Sequence, residues 1–246
     1  MDRNTLRKIF DFIEEKESKT SLAYKILNDF DNIRDNELIV NGNLNLSDKN
    51  ITSLPEGLQV GGYLVLLGCT SLKSLPDGLQ VGGYLVLSGC TNITSLPEGL
   101  KVGDKLNLSG CTNLISLPEG LKVGHSLDLS GCTNLTSLPN GLKVGRSLIL
   151  SGCTSLKSLP DGLQVGYHLN LEDCTNLTSL PDGLKVGGKL NLRSCTNLTS
   201  LPDGLKVEGD LYLANTPLAK YTDGELLKMI GSNGCVKGII KRRWGG

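Results

Sequence analysis

The chain is poor in aromatic side chains, has no net charge and contains no long apolar run, and each shortage removes a class of protein. Phe, Trp and Tyr together make up 4% of its 246 residues, so rings cannot dominate the core, and Leu, Val and close backbone contacts must fill it. Lys plus Arg is 25 and Asp plus Glu is 25, which leaves no global field to draw the chain to nucleic acid or an anionic membrane. The longest aliphatic run is four residues, Leu64 to Leu67, against the roughly 20 that a membrane-crossing helix needs. The opening MDRNTLRKIF lacks the apolar stretch of a secretory signal, so the expectation is a cytoplasmic protein with no membrane segment. What the chain does have is 39% hydrophobic residues and 31 glycines. That is enough apolar content for one domain with a sizeable core, and it excludes global disorder.

The composition follows from a repeat. Segments beginning LIVNGNLNL at Leu38 and LQVGGYLVL at Leu58 and Leu79 return at Leu100, Leu121, Leu142, Leu163, Leu184 and Leu205. The first step is 20 residues and the others are 21, a period that marks solenoids. The unit reads L-x-V-G-x-x-L-x-L-x-G-C-T-x-L-x-S-L-P-[DE]-G. Pairs such as Leu64 and Leu66 alternate with polar or variable positions, which is strand periodicity, so one short parallel strand per turn is expected. Glycines such as Gly57 and Gly62 and prolines such as Pro55 and Pro76 suit tight bends and an extended opposite wall, leaving no room for a long helix. One unit cannot bury its Leu face; stacked neighbours share a continuous core.

The L-x-L-x-x-C-x-x-L pattern resembles a leucine-rich repeat with Cys where many members carry Asn, and the SLP[DE]GL segment is similar to short bacterial and bacteriophage repeats of that type. The resemblance covers residues 38–219. It departs from the family at strand entry, where V-G-G stands in place of the usual first Leu, and an effector-type catalytic domain is not expected beside it. It implies an α/β repeat solenoid: a leucine-rich-repeat right-handed superhelix with a parallel sheet on one face, whose exposed strand positions are the usual binding surface.

The ends differ from the repeat. In residues 1–37, Leu6, Ile9, Phe10 and Ile13, then Leu22, Ile26, Phe30 and Ile33, recur at helical spacing, so two short helices are expected to form an N-terminal cap. In residues 220–246, Thr222 and Glu225 have the spacing of a capping box before LLKMI, and CVKGIIKRRW reads as a strand. A small helix-and-strand C-terminal cap follows.

Seven cysteines form one column: Cys69, Cys90, Cys111, Cys132, Cys153, Cys174 and Cys195. Stacked in parallel, their side chains point the same way and do not meet for bridging, so free buried thiols are expected, each offering a weak S–H donor to a turn carbonyl. A linear column does not converge on a metal, and neither metal nor cofactor is expected.

Against this regular background the outward strand positions vary. One column runs Gly62, Gly83, Asp104, His125, Arg146, Tyr167, Gly188, Gly209; the next runs Tyr63, Tyr84, Lys105, Ser126, Ser147, His168, Lys189, Asp210; the third runs Val65, Val86, Asn107, Asp128, Ile149, Asn170, Asn191, Tyr212. Alternation turns the third column away from the Leu core. Tyr63, Tyr84, Val65, Val86 and Leu67 make an apolar beginning; Asp104, His125, Asp128, Arg146, Tyr167, His168, Glu172 and Arg193 make a mixed remainder. Exposed aromatics and Arg are the residue types that anchor protein interfaces. The expected function is therefore non-enzymatic recognition of a protein, with Tyr63, Tyr84, Arg146, Tyr167 and His168 as anchors. The alternative is a structural or ice-lattice protein that uses the Thr70-to-Thr196 column and the acidic column of Glu56, Asp77 and their successors.

No enzyme is expected. His125 and His168 stand two repeats apart, and no nucleophile is spaced with a base and an orienting group; Cys235 has no motif partner. From Lys220 on, six cations face two acids, a net +4 that includes Lys241, Arg242 and Arg243, with Trp244 beside them. Such an end keeps a strand edge soluble, and nucleic acid is the lesser expectation for it.

Overall fold

The computed structural model describes residues 21–243. The chain is a parallel β-solenoid with two ten-stranded sheets rather than the single sheet expected from the L-x-L pairs. Every coil contributes two strands of two residues, such as Gln59–Val60 to the first sheet and Leu64–Val65 to the second. The first sheet arises from a shorter alternation, Leu58 in, Gln59 out, Val60 in. Pairing is in register throughout: Val60 lies beside Val81 and Leu64 beside Leu85. Leu64 N–H donates to the Tyr84 carbonyl and Leu66 N–H to the Val86 carbonyl, at 2.9 and 2.8 Å.

The core is one column of aliphatic layers. Leu58, Val60, Leu64, Leu66, Cys69, Leu72 and Leu75 are all buried in a single coil, and the set recurs in the coils that follow. Full burial of each Leu is worth about 1.5–3 kcal/mol. All of it depends on stacking, because the same side chains of an isolated coil would face water.

Two kinds of glycine keep the coils close. Between the sheets, Gly82, Gly103, Gly124 and their equivalents approach the previous coil so tightly that a Cβ on Gly103 would lie 2.1 Å from the Gly82 carbonyl oxygen. After the second strand, Gly89 and Gly110 have φ of 75° and 73°, left-handed backbone that suits glycine. Asp48, Asp173, Ser194 and Asn215 take that conformation in other coils, at 57–59°.

The seven column cysteines are free and buried. Each Sγ points at the carbonyl of the second strand Leu one coil back, from Cys69 to Leu46 at 2.9 Å through Cys195 to Leu171 at 3.1 Å, which satisfies the thiol donor inside the core as expected.

At the N-terminal end, helix α1 (Leu22–Asn28) is capped by Ser21, whose hydroxyl accepts from Tyr24 N–H at 3.2 Å, and it sets Ala23 and Ile26 into the core. The helix stops at Asn28, so Phe30 and Ile33 do not extend it as their spacing suggested; Phe30–Asn32 and Asp35–Glu37 are 3-10 turns. Lys25 Nζ holds Glu37 at 2.6 Å, and this bond, with the Arg34 N–H, keeps the Glu37 carboxyl below its ordinary pKa. The expected helix through Leu6, Ile9, Phe10 and Ile13 lies outside the described residues.

At the other end, helix α2 (Asp223–Met229) carries both bonds of the Thr222–Glu225 capping box. The tail then forms two strands, not one: Cys235–Val236 and Ile240–Lys241 each add a tenth strand to their sheets. The cap is thus a further coil. Lys206 pairs with Cys235, 29 residues on, where the interior step is 21 as in Lys185 and Lys206, and α2 takes up the difference.

Candidate recognition face

The varied columns all lie on the outside of the second sheet and on the bend that leads into it. Arg146, His125 and Tyr167 stand on the bend and are exposed. Tyr63, Lys105 and Lys189 precede the strand and are exposed, while Tyr84 and His168 are half-buried. In the strand itself Asn107, Asp128, Ile149, Asn170, Asn191 and Tyr212 are half-buried, and Arg193 lies two residues beyond Asn191. Val65 and Val86 correct the sequence reading: they leave the Leu core as alternation requires, yet both are buried in a separate cluster with Leu67, against which Tyr84 packs.

Three contact groups divide the face. At its beginning, the Tyr63 and Tyr84 rings stack at 4.7 Å and 20° between planes, and Lys105 Nζ sits 5.0 Å from the Tyr84 ring centre. In the middle, Asp104 and His125 pair through Oδ1 and Nδ1. Further on, the Tyr167 and His168 rings are 3.7 Å apart. His168 Nδ1 accepts the Lys189 backbone N–H at 2.9 Å. Partial burial and the nearby Lys189 ammonium lower the His168 pKa from its ordinary value, so at neutral pH it is an uncharged ring with Nδ1 already used as an acceptor.

Beside this lies a shallow depression of about 380 Å³ lined by His168, Asn170, Lys189, Arg193, Tyr212 and Lys241 among others. Two cations approach the Tyr212 ring, Arg193 at 4.2 Å and Lys241 at 5.3 Å. A second depression of about 310 Å³ runs from Tyr84 and Lys105 across Asn107 and Asp128 to Ile149.

Several polar residues of the third column serve the fold. The Oδ1 atoms of Asn107, Asp128 and Asn170 accept the backbone N–H two residues on, at 2.9, 2.9 and 3.0 Å, a local turn bond that short amide and carboxylate side chains favour. Asn191 does the same for Arg193 N–H at 3.1 Å and also donates from Nδ2 to Glu172 at 2.9 Å. The N-L-x and D-L-x spacing, a short polar side chain two residues before a turn, is a signal from which these bonds could have been read.

The basic tail is largely engaged. Arg242 pairs with Asp223 and donates from Nε to the Tyr221 carbonyl at 2.8 Å, while Lys237 holds Glu208 at 2.6 Å and Lys241 lies 3.8 Å from Asp210. Asp210 also accepts from Ile239 N–H, which with the Tyr212 hydroxyl and Lys241 lowers its pKa. Trp244 lies outside the described residues.

Among the described residues, no group of three His, Cys, Asp or Glu side chains is placed to hold a metal ion, and no helix is long and apolar enough to cross a membrane. A third depression, of about 470 Å³ along Ile39, Gln59, Gly61, Gln80 and Lys101, lies on the first sheet, away from the varied columns. The chain matches no family model, and comparison with the curated proteins and the solved structures finds no match.

Proposed function

We propose that this chain is a non-enzymatic recognition module that binds a protein through the outer face of its second sheet. One observation carries the reading: coils that repeat the same Leu, Gly, Cys and Pro positions change their residues along this face, and the changes set out Tyr63 with Tyr84, Arg146, and Tyr167 with His168. A lattice-forming surface calls for the opposite, identical side chains at every step. Stacked aromatics beside cations supply the rigid, partly apolar anchors that protein interfaces favour. The reading agrees with the likeness of the repeat to short bacterial and bacteriophage leucine-rich repeats, in which the strand face is the usual binding surface.

The test is capture from lysate of the source cells by the intact chain beside a Tyr84→Ala, Arg146→Ala, Tyr167→Ala variant, with the fold of both checked by circular dichroism. The expected result is a partner held by the first and lost, at least tenfold, by the second. Equal capture by both proteins, or dependence on the Thr column instead, overturns the reading.

A further inference from the structure

The outer face of the first sheet carries two parallel rows of opposite charge. In-register pairing stacks Lys101, Lys122, Lys143, Gln164, Lys185 and Lys206 in one column, and all are exposed. Three residues earlier in the same coils stand Glu98, Glu119, Asn140, Asp161, Asp182 and Asp203, also exposed. Neighbouring coils are about 4.8 Å apart, so within each row like charges face one another across the strands and repel. The rows do not cancel each other within the chain: among the described residues, none of these five lysines and five acids is in an ion pair. Asp182 Oδ1 accepts the Asp203 backbone N–H at 3.1 Å, which holds that carboxylate in its row. The strip is also low. A Cβ on Gly99, Gly120 or Gly141 would meet nothing within 4 Å, and a depression of about 530 Å³ runs past Lys122, Asn140 and Lys143 between glycines on either side.

We propose that this face docks a second copy of the chain. A two-fold axis parallel to the rows and midway between them lays the acid row of each copy over the lysine row of the other, and it sets every coil opposite its own counterpart. A two-fold axis across the rows puts acid on acid, so complementarity also fixes the direction: both chains run the same way. The step matches along the six coils, roughly 24 Å, because both copies share one strand spacing. A linear polyanion lying on the lysines would run beside as many carboxylates, and a polycation on the acids beside as many ammonium groups, whereas a second copy neutralises both rows. Two coils are imperfect, Lys143 meeting the partner's Asn140 and Asp161 meeting the partner's Gln164. A strip this narrow and polar belongs with weak, transient contacts, and its charge makes it salt-dependent. The pairing leaves the second-sheet face free and does not depend on the recognition reading.

Sedimentation equilibrium of the full chain tests it. A dimer is expected at about 0.01 M salt and a monomer at about 1 M. Lys101→Glu with Lys122→Glu makes both rows acidic over two coils, and Glu98→Lys with Glu119→Lys makes both basic. Each variant alone, its fold checked by circular dichroism, is expected to dimerise at least tenfold more weakly than the parent, and an equimolar mixture of the two to recover the dimer. A parent that stays monomeric at low salt, a dimer indifferent to salt, or a mixture no tighter than either variant alone overturns the proposal. Carbodiimide coupling of isotopically heavy and light parent chains reads the orientation. Links between Lys122 of one chain and Glu119 of the other are expected, and cross-chain links confined to other faces overturn the arrangement.

Discussion

The carbonyl oxygen of Gly82 lies 2.1 Å from where a Cβ on Gly103 would stand. No side-chain rotation relieves that contact, because the atom it meets is backbone. Gly103→Ala must therefore push adjacent coils away from each other, and it is expected to cost at least about 1–3 kcal/mol, the range for overpacking. A urea midpoint unchanged from the parent would contradict the stacking geometry.

The left-handed position after the second strand makes the opposite prediction. Ser194 holds φ of 57° where Gly89, Gly110 and Gly131 stand at 70–75° in other coils. A non-glycine residue there costs about 1–2 kcal/mol, partly offset by the larger entropy that glycine loses on folding. Ser194→Gly is expected to stabilise the chain by roughly 0.5–1 kcal/mol, read as a higher denaturation midpoint. Gly89→Ala should lower it by a similar amount.

Thiol chemistry should separate the cysteines cleanly. Burial pushes Cys69 up to about 11 and Cys90 up to about 12, whereas Cys235 is half-buried outside the column. In native buffer near pH 8 a thiol reagent is expected to modify one residue, Cys235, and to reach the other seven only after unfolding. Rapid modification of several thiols in the folded chain would refute the closed column.

The same thiols make the fold sensitive to base. Their ordinary pKa is 9.0, and burial raises it in the fold, to about 12 for Cys132 and Cys174. Above pH 9 the unfolded chain gives up these protons while the folded chain keeps them, so stability that is complete below pH 9 falls as pH rises toward 12. Each thiol contributes up to about 1.4 kcal/mol per pH unit in that window. Urea midpoints at about pH 8 and pH 10.5 should differ strongly in the parent, and less in a variant with Cys111, Cys132 and Cys153 changed to Ala, measured against its own value at the lower pH.

Much of this architecture is legible in the residues. The pairing of Leu64 with Leu66 and the 21-residue step locate the second sheet, and the Cys column is buried and donates as its chemistry suggests. The first sheet is harder to read although Leu58, Gln59 and Val60 alternate as strictly, because Gly61 marks the segment as a bend and two residues are too short a run to signal a strand. The tail shows the same effect. Val236, Gly238 and Ile240 keep the spacing of Val207, Gly209 and Leu211, and that spacing, more than the strand character of the segment, foretells another coil. The burial of Val65 is not legible at all, since alternation fixes which way a side chain points and says nothing of what lies over it.

In-register pairing from coil to coil also makes the chain a ruler. Removing or duplicating one 21-residue unit between Gly103 and Gly145 leaves the Tyr63–Tyr84 stack and the Tyr167–His168 pair each intact. It changes only the distance between them, by one strand spacing of about 4.8 Å. The reach of such a surface is thus set by copy number, in fixed increments, independently of the chemistry at either end.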